Sequence, residues 1–67
     1  MFYTYILQSQ STGKLYIGST QNLEERIKRH NSGGSNYTRN KGPWILLFSM
    51  NFETRSEAAS LEYKLKT

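Results

Sequence analysis

Residues 2–19, FYTYILQSQSTGKLYIGS, decide how this chain folds. Phe2 to Gln8 is aromatic and β-branched, the composition of a strand packed on a pleated surface. Ser9 to Gly13 is a polar turn cluster with a glycine near its end. Lys14 to Ser19 is a second strand, interrupted by Gly18. A loop this short joins the strands as an antiparallel β-hairpin. Tyr5 and Tyr16 then stand on neighbouring strands, close to one another. Tyrosines in strands are ordinarily packing residues. Gly18 is either a bulge or a point where a ligand approaches the backbone closely.

Working outward, Asn22 reads as a helix N-cap with Glu25 three residues on. Leu23 and Ile27 give that helix a short apolar stripe, and Gly33-Gly34 stops it. Ser35 to Pro43 is polar and basic, as a surface loop is. Trp44 to Met50 (WILLFSM) is a near-continuous apolar run, too short for a typical helix; it reads as a central strand covered on both faces. Thr54 caps a second helix, with Glu57 completing a T-x-x-E box and Ala58, Leu61 and Leu65 forming the buried stripe. The order β-β-α-β-α, opening on a hairpin, predicts an α+β fold: a small antiparallel three-stranded sheet flanked by helices. The expected unit is one domain, residues 1–67. The pattern breaks off while the last helix is still running, so the natural chain or fold is expected to continue beyond it.

Composition narrows the chemistry. A chain of 67 residues buries only about 60% of its extended surface, and with no cysteine there is no disulfide to help it. His30 is the single histidine, without the companions that a structural zinc site needs. No run approaches the roughly 20 apolar residues of a membrane span, and the N-terminus lacks the pattern of a secretory signal, so a cytoplasmic protein is the expectation. The net charge of +4 arises from nine Lys/Arg against five Glu. Arg26, Lys28, Arg29, Arg39 and Lys41 fall in one stretch with Asn36, Tyr37 and Thr38. Basic groups interleaved with hydrogen-bonding side chains suit nucleic-acid phosphates; an ordinary solvated helix face followed by a polar loop has the same look.

Glu62 is singled out by helical spacing alone, because it falls inside the Ala58/Leu61/Leu65 arc. A carboxylate there needs a hydrogen bond, a cation or a metal to replace lost hydration. Two readings stand: a functional acid, or an edge residue paired with Lys66 four positions on. Arg26 flanks the Leu23/Ile27 stripe, either as a fixed fork for phosphate or as a snorkelling surface residue. His30 lies one turn further along the same side, as a packed boundary residue, a second phosphate contact or a proton carrier.

Taken in order, Tyr3-Thr4-Tyr5, Tyr16-Ile17-Gly18, Arg26, His30, Tyr37-Thr38-Arg39 and Glu62 in a Ser-Glu-Ala-x-x-Leu-Glu context resemble the GIY-YIG nuclease superfamily. The likeness is to its small single-domain bacterial branch, related to the N-terminal nicking domain of the excision-repair nuclease, and it covers nearly the whole chain. Tyr-Thr-Tyr stands where the family name has Gly-Ile-Tyr, as is usual in the small branch. The family's further helix and its late asparagine have no counterpart before Thr67.

The resemblance implies a metal-dependent endonuclease hydrolysing phosphodiester bonds in DNA, with RNA as the alternative, in repair or processing; no membrane and no obligate protein partner are expected. It implies Glu62 as ligand to Mg²⁺ or Mn²⁺, Arg26 as transition-state stabiliser, Tyr5 as general base with Tyr16 positioning phosphate (or the reverse), and His30 assisting. Gly18, Arg29, Thr38, Arg39 and Lys41 are the expected contacts to the nucleic acid. A non-catalytic nucleic-acid binder on the same fold is the main rival. A protein-interaction module meeting its partner through residues 44–50 is the third reading, and it requires that run to be exposed.

Overall fold

A computed structural model describes residues 1–33 and 41–67. Strand β1 (Phe2–Ser9) and strand β2 (Leu15–Thr20) form the expected hairpin, followed by helix α1 (Leu23–Asn31), strand β3 (Trp44–Phe52) and helix α2 (Arg55–Lys66). The sheet is antiparallel, in the order β2-β1-β3. The α+β architecture anticipated from the hairpin and the two capped helices is the one observed.

The turn closes through its own side chains. Ser9 Oγ accepts from the amides of Ser11 and Thr12, and Gly13 takes φ 78°, a left-handed conformation that costs a residue without Cβ nothing. Asn22 Oδ1 accepts from the Glu25 amide at 3.1 Å to start α1. Thr54 Oγ1 accepts from the Glu57 amide at 3.2 Å and donates to the Glu57 carboxylate, which starts α2.

The central strand is β1, and its sequence shows why. Thr4, Tyr5, Leu7 and Ser9 are all buried, so both of its faces are covered. Neighbouring residues on a strand point to opposite faces. Thr4 donates to the Ala58 carbonyl of α2 at 2.6 Å, whereas the Tyr5 hydroxyl meets His30 of α1. The two helices therefore lie on opposite sides of the sheet. Trp44 packs with Tyr5 and Leu7 in the core, with Tyr16, Leu23 and Ile27 against them.

Strand β3 corrects the expectation for residues 44–50. It is an edge strand, and Ile45, Leu46, Leu47, Phe48 and Met50 are 40–51% exposed. An apolar run records what a segment can bury, not what covers it; α2 packs chiefly over β1 and β2, and α1 meets β3 without covering its length. Only Trp44, at its start, is buried, because Asn31 at the end of α1 holds it. Asn31 Oδ1 accepts from the Trp44 amide at 2.6 Å and its Nδ2 donates to the Trp44 carbonyl at 3.2 Å. The apolar stripe of α2 also thins along its length. Ala58 is buried, Leu61 half-buried and Leu65 exposed. Among the described residues no helix is long and apolar enough to cross a membrane.

Candidate active site

Strand register brings the first group together. Tyr5 lies opposite Gly18, and Leu7 opposite Tyr16, so both tyrosines project from the sheet face that α1 covers. A Cβ at Gly18 would stand 2.8 Å from the Tyr5 hydroxyl oxygen and 3.0 Å from Tyr16 Cε1. The close approach anticipated at Gly18 is thus made by the two motif tyrosines themselves. With no side chain beneath it, the Tyr5 ring crosses β2, and its Oη comes within 3.1 Å of His30 Nε2. The Tyr16 ring stacks obliquely on His30, centroids 4.6 Å apart, and meets Trp44 edge-on at 6.5 Å.

Protonation follows from this packing. His30 is 2% exposed, and burial, helped by the nearby charges of Arg26 and Arg29, lowers its pKa below the ordinary 6.5. It is therefore neutral at pH 7, and in the tautomer that carries its proton on Nδ1, Nε2 is the acceptor for the Tyr5 hydroxyl. The Tyr5 phenol is pushed up to about 12, first by burial and then by Tyr16 and the charge of Glu62, against the opposing pull of Arg26. A phenol acting as a base at neutral pH needs a pKa lowered from its ordinary value of about 10. The sign is the reverse because removal from water outweighs one guanidinium.

Glu62 reaches β2 from the other side. Ser19 pairs with Thr4 and shares its face, and the Ser19 hydroxyl donates to Glu62 Oε1 at 2.8 Å. Lys66 Nζ lies 2.7 Å from Oε2, so the Lys66 pairing foreseen as one of two readings is present. Burial alone would raise the Glu62 pKa. The hydrogen bonds from Lys66 and Ser19 outweigh it and hold the carboxyl below its ordinary value. The acid and the phenols thus approach one edge strand from opposite faces instead of lining one pocket wall, yet the Glu62 charge is felt at Tyr5.

A cleft of about 430 Å³ lies at the end of β2, and Tyr5, Tyr16, His30 and Glu62 are not among its lining residues. Arg26 of α1 and Arg55 of α2 both line it, together with Ser19, Gln21, Asn22 and Glu25. Arg55 is steadied by the Phe2 ring, 5.5 Å below its guanidinium. Ser19, Asn31 and Arg55 were not singled out from the sequence. Ser19 becomes visible only once register puts it opposite Thr4, and Arg55 only once α2 is docked. Of the expected outer contacts, Arg29 is exposed on α1 and Lys41 is half-buried. The Lys41 backbone carbonyl accepts from the hydroxyls of Ser9 and Ser11. Thr38 and Arg39 lie outside the described residues.

Comparison with known proteins agrees with the motif order. The family model described as the GIY-YIG catalytic domain matches residues 1–67. A UPF0213 protein of Clostridium perfringens is 49% identical over 67 residues, covering 98% of this chain and 71% of that protein. One from Oceanobacillus iheyensis is 43% identical over 65 residues, covering 96% and 74%. The solution NMR structure of the UPF0213 protein BH0048 from Bacillus halodurans superposes with a TM-score of 0.59 at 41% identity, over 98% of this chain and 71% of that one. With the family model spanning it end to end, the chain belongs to the GIY-YIG catalytic-domain family.

Proposed function

We propose that this protein is a divalent-metal-dependent endonuclease acting on DNA, with Tyr5, Tyr16, Arg26, His30 and Glu62 as its reacting set. The observation that carries this reading is the Tyr5–His30 contact, a phenol aimed at a buried neutral imidazole with Arg26 beside it, in a chain of this family. Glu62 fits a hydrated Mg²⁺ or Mn²⁺, since such ions commonly keep most of their waters and take one or two carboxylates. When bound there, the ion would supply neutralising charge at the scissile phosphate.

The chain's own residues would do the rest. The cleft between Arg26 and Arg55 takes the phosphate backbone, and Arg26 donates to non-bridging oxygens as negative charge builds. Tyr5, with a pKa of about 12, is a neutral phenol at pH 7 and cannot act alone as a phenolate. It can pass a proton on. Because Tyr5 is closed off from solvent in this state, substrate binding must first open a path to its Oη. A water there then loses its proton to Tyr5 Oη while the Tyr5 proton moves to His30 Nε2, and the resulting hydroxide attacks phosphorus as the P–O3′ bond breaks. The leaving oxygen is then protonated by solvent. Tyr16, against the His30 ring, fixes the imidazole plane and offers its hydroxyl to phosphate.

The rival reading, a binder without catalysis, is favoured by one observation. The Glu62–Lys66 ion pair already neutralises the acid. Nicking of supercoiled plasmid with Mg²⁺ or Mn²⁺ separates the two. Glu62→Ala and Arg26→Ala should each lose about 10²–10³-fold in rate. If wild type cuts no faster than these variants, the enzymatic reading is lost and the binding reading gains.

A further inference from the structure

The carboxylate assigned to the metal already holds a cation. Ser19 engages Glu62 Oε1 at 2.8 Å and the Lys66 ammonium engages Oε2 at 2.7 Å. A divalent ion seeking Oε2 competes for the same lone pairs and is repelled by the same positive charge. Lys66 is the looser of the two partners. It lies in the last turn of α2 with its side chain 51% exposed, on a flexible four-carbon stem. Glu62 is the more fixed partner, with only 23% of its side chain exposed and Ser19 bound to its other oxygen.

We propose that Lys66 is a built-in counter-ion for the metal site, holding the Glu62 carboxylate in place until a divalent cation displaces its ammonium. This rests on the metal-dependent reading above. It adds that this chain tunes its metal affinity downward with its own lysine, so that the occupied state forms where the dication outcompetes an i, i+4 ion pair.

The test is Mn²⁺ binding to the whole chain, followed by electron paramagnetic resonance, for wild type, Lys66→Met, Lys66→Arg and Glu62→Gln. Exposed ion pairs are worth a few-fold in an equilibrium constant, so Lys66→Met should bind Mn²⁺ about two- to fivefold more tightly than wild type. Lys66→Arg, which keeps the charge, should match wild type, and Glu62→Gln should lose the site. Equal affinity in Lys66→Met and wild type, with binding still lost in Glu62→Gln, overturns the counter-ion role and leaves the metal reading standing. Unchanged binding in Glu62→Gln removes the metal site itself. Should Lys66→Met fail to fold, titrating wild type with Mg²⁺ gives a second readout. The Lys66 side-chain resonances must move toward those of a free lysine as the ion binds, and their constancy also overturns the proposal.

Discussion

His30 is the residue through which pH should act on this molecule. Its folded pKa lies below the ordinary 6.5, so in the window beneath 6.5 the unfolded chain takes a proton that the folded one refuses. Stability is therefore fully present above that window and falls as pH drops through it, levelling off below the folded value. Urea midpoints measured from about pH 7.5 down to 5 should decline for wild type. They should stay flat for His30→Phe, whatever its absolute stability; the slope is the readout. Glu62 adds a second loss of the same sign only at lower pH, beneath the ordinary carboxyl value of 4.5. Much of this neighbourhood was legible in the sequence. A short hairpin forces Tyr5 and Tyr16 together, and helical spacing carries Arg26 and His30 to the same side. Illegible was the direction of the Tyr5 shift, because burial of a phenol is set by what the fold stacks on it.

At the level of elements, β2 is the strand around which everything is placed, and Gly18 is its indispensable position. Gly18→Ala puts a methyl 2.8 Å from the Tyr5 oxygen and 3.0 Å from both rings. Buried aromatics have little room to retreat, so the cost should be about 1–3 kcal/mol, with the Tyr5–His30 contact stretched or broken. Chemical denaturation checks the first, and the His30 ring resonances check the second. Element identities could be read from caps and periodicity, since Asn22, Thr54 and Gly13 each announce a boundary through a local hydrogen bond or φ angle. The position of β3 could not. Its apolar residues carry the same signal whether a strand lies in the middle of a sheet or at its rim, and only pairing with β1 settles the difference. Register likewise hid Ser19, whose role depends on standing opposite Thr4.

Over the described residues, one rim of the sheet is apolar and uncovered. Strand β3 has no charge and no proline over its nine residues, and five of its exposed side chains are large and apolar. Unprotected edges of that kind invite pairing between chains. Leu47, 51% exposed and the residue skipped in the register between Leu46 and Phe48, is the place to blunt it. Leu47→Lys should lower self-association in light scattering at high concentration while leaving plasmid nicking unchanged. Equal scattering from both proteins would count against an adhesive edge.

The few side chains this fold hides from water include Tyr5 and His30, the pair assigned to proton transfer. A larger enzyme can mutate its reacting groups on a scaffold that hardly notices. Here the scaffold and the reacting groups coincide, so variation that explores new chemistry also tests whether the protein persists at all. Its evolvability should therefore lie outside that pair, in the cleft-lining arginines and the outer rim, where substrate preference can drift while the centre stays fixed.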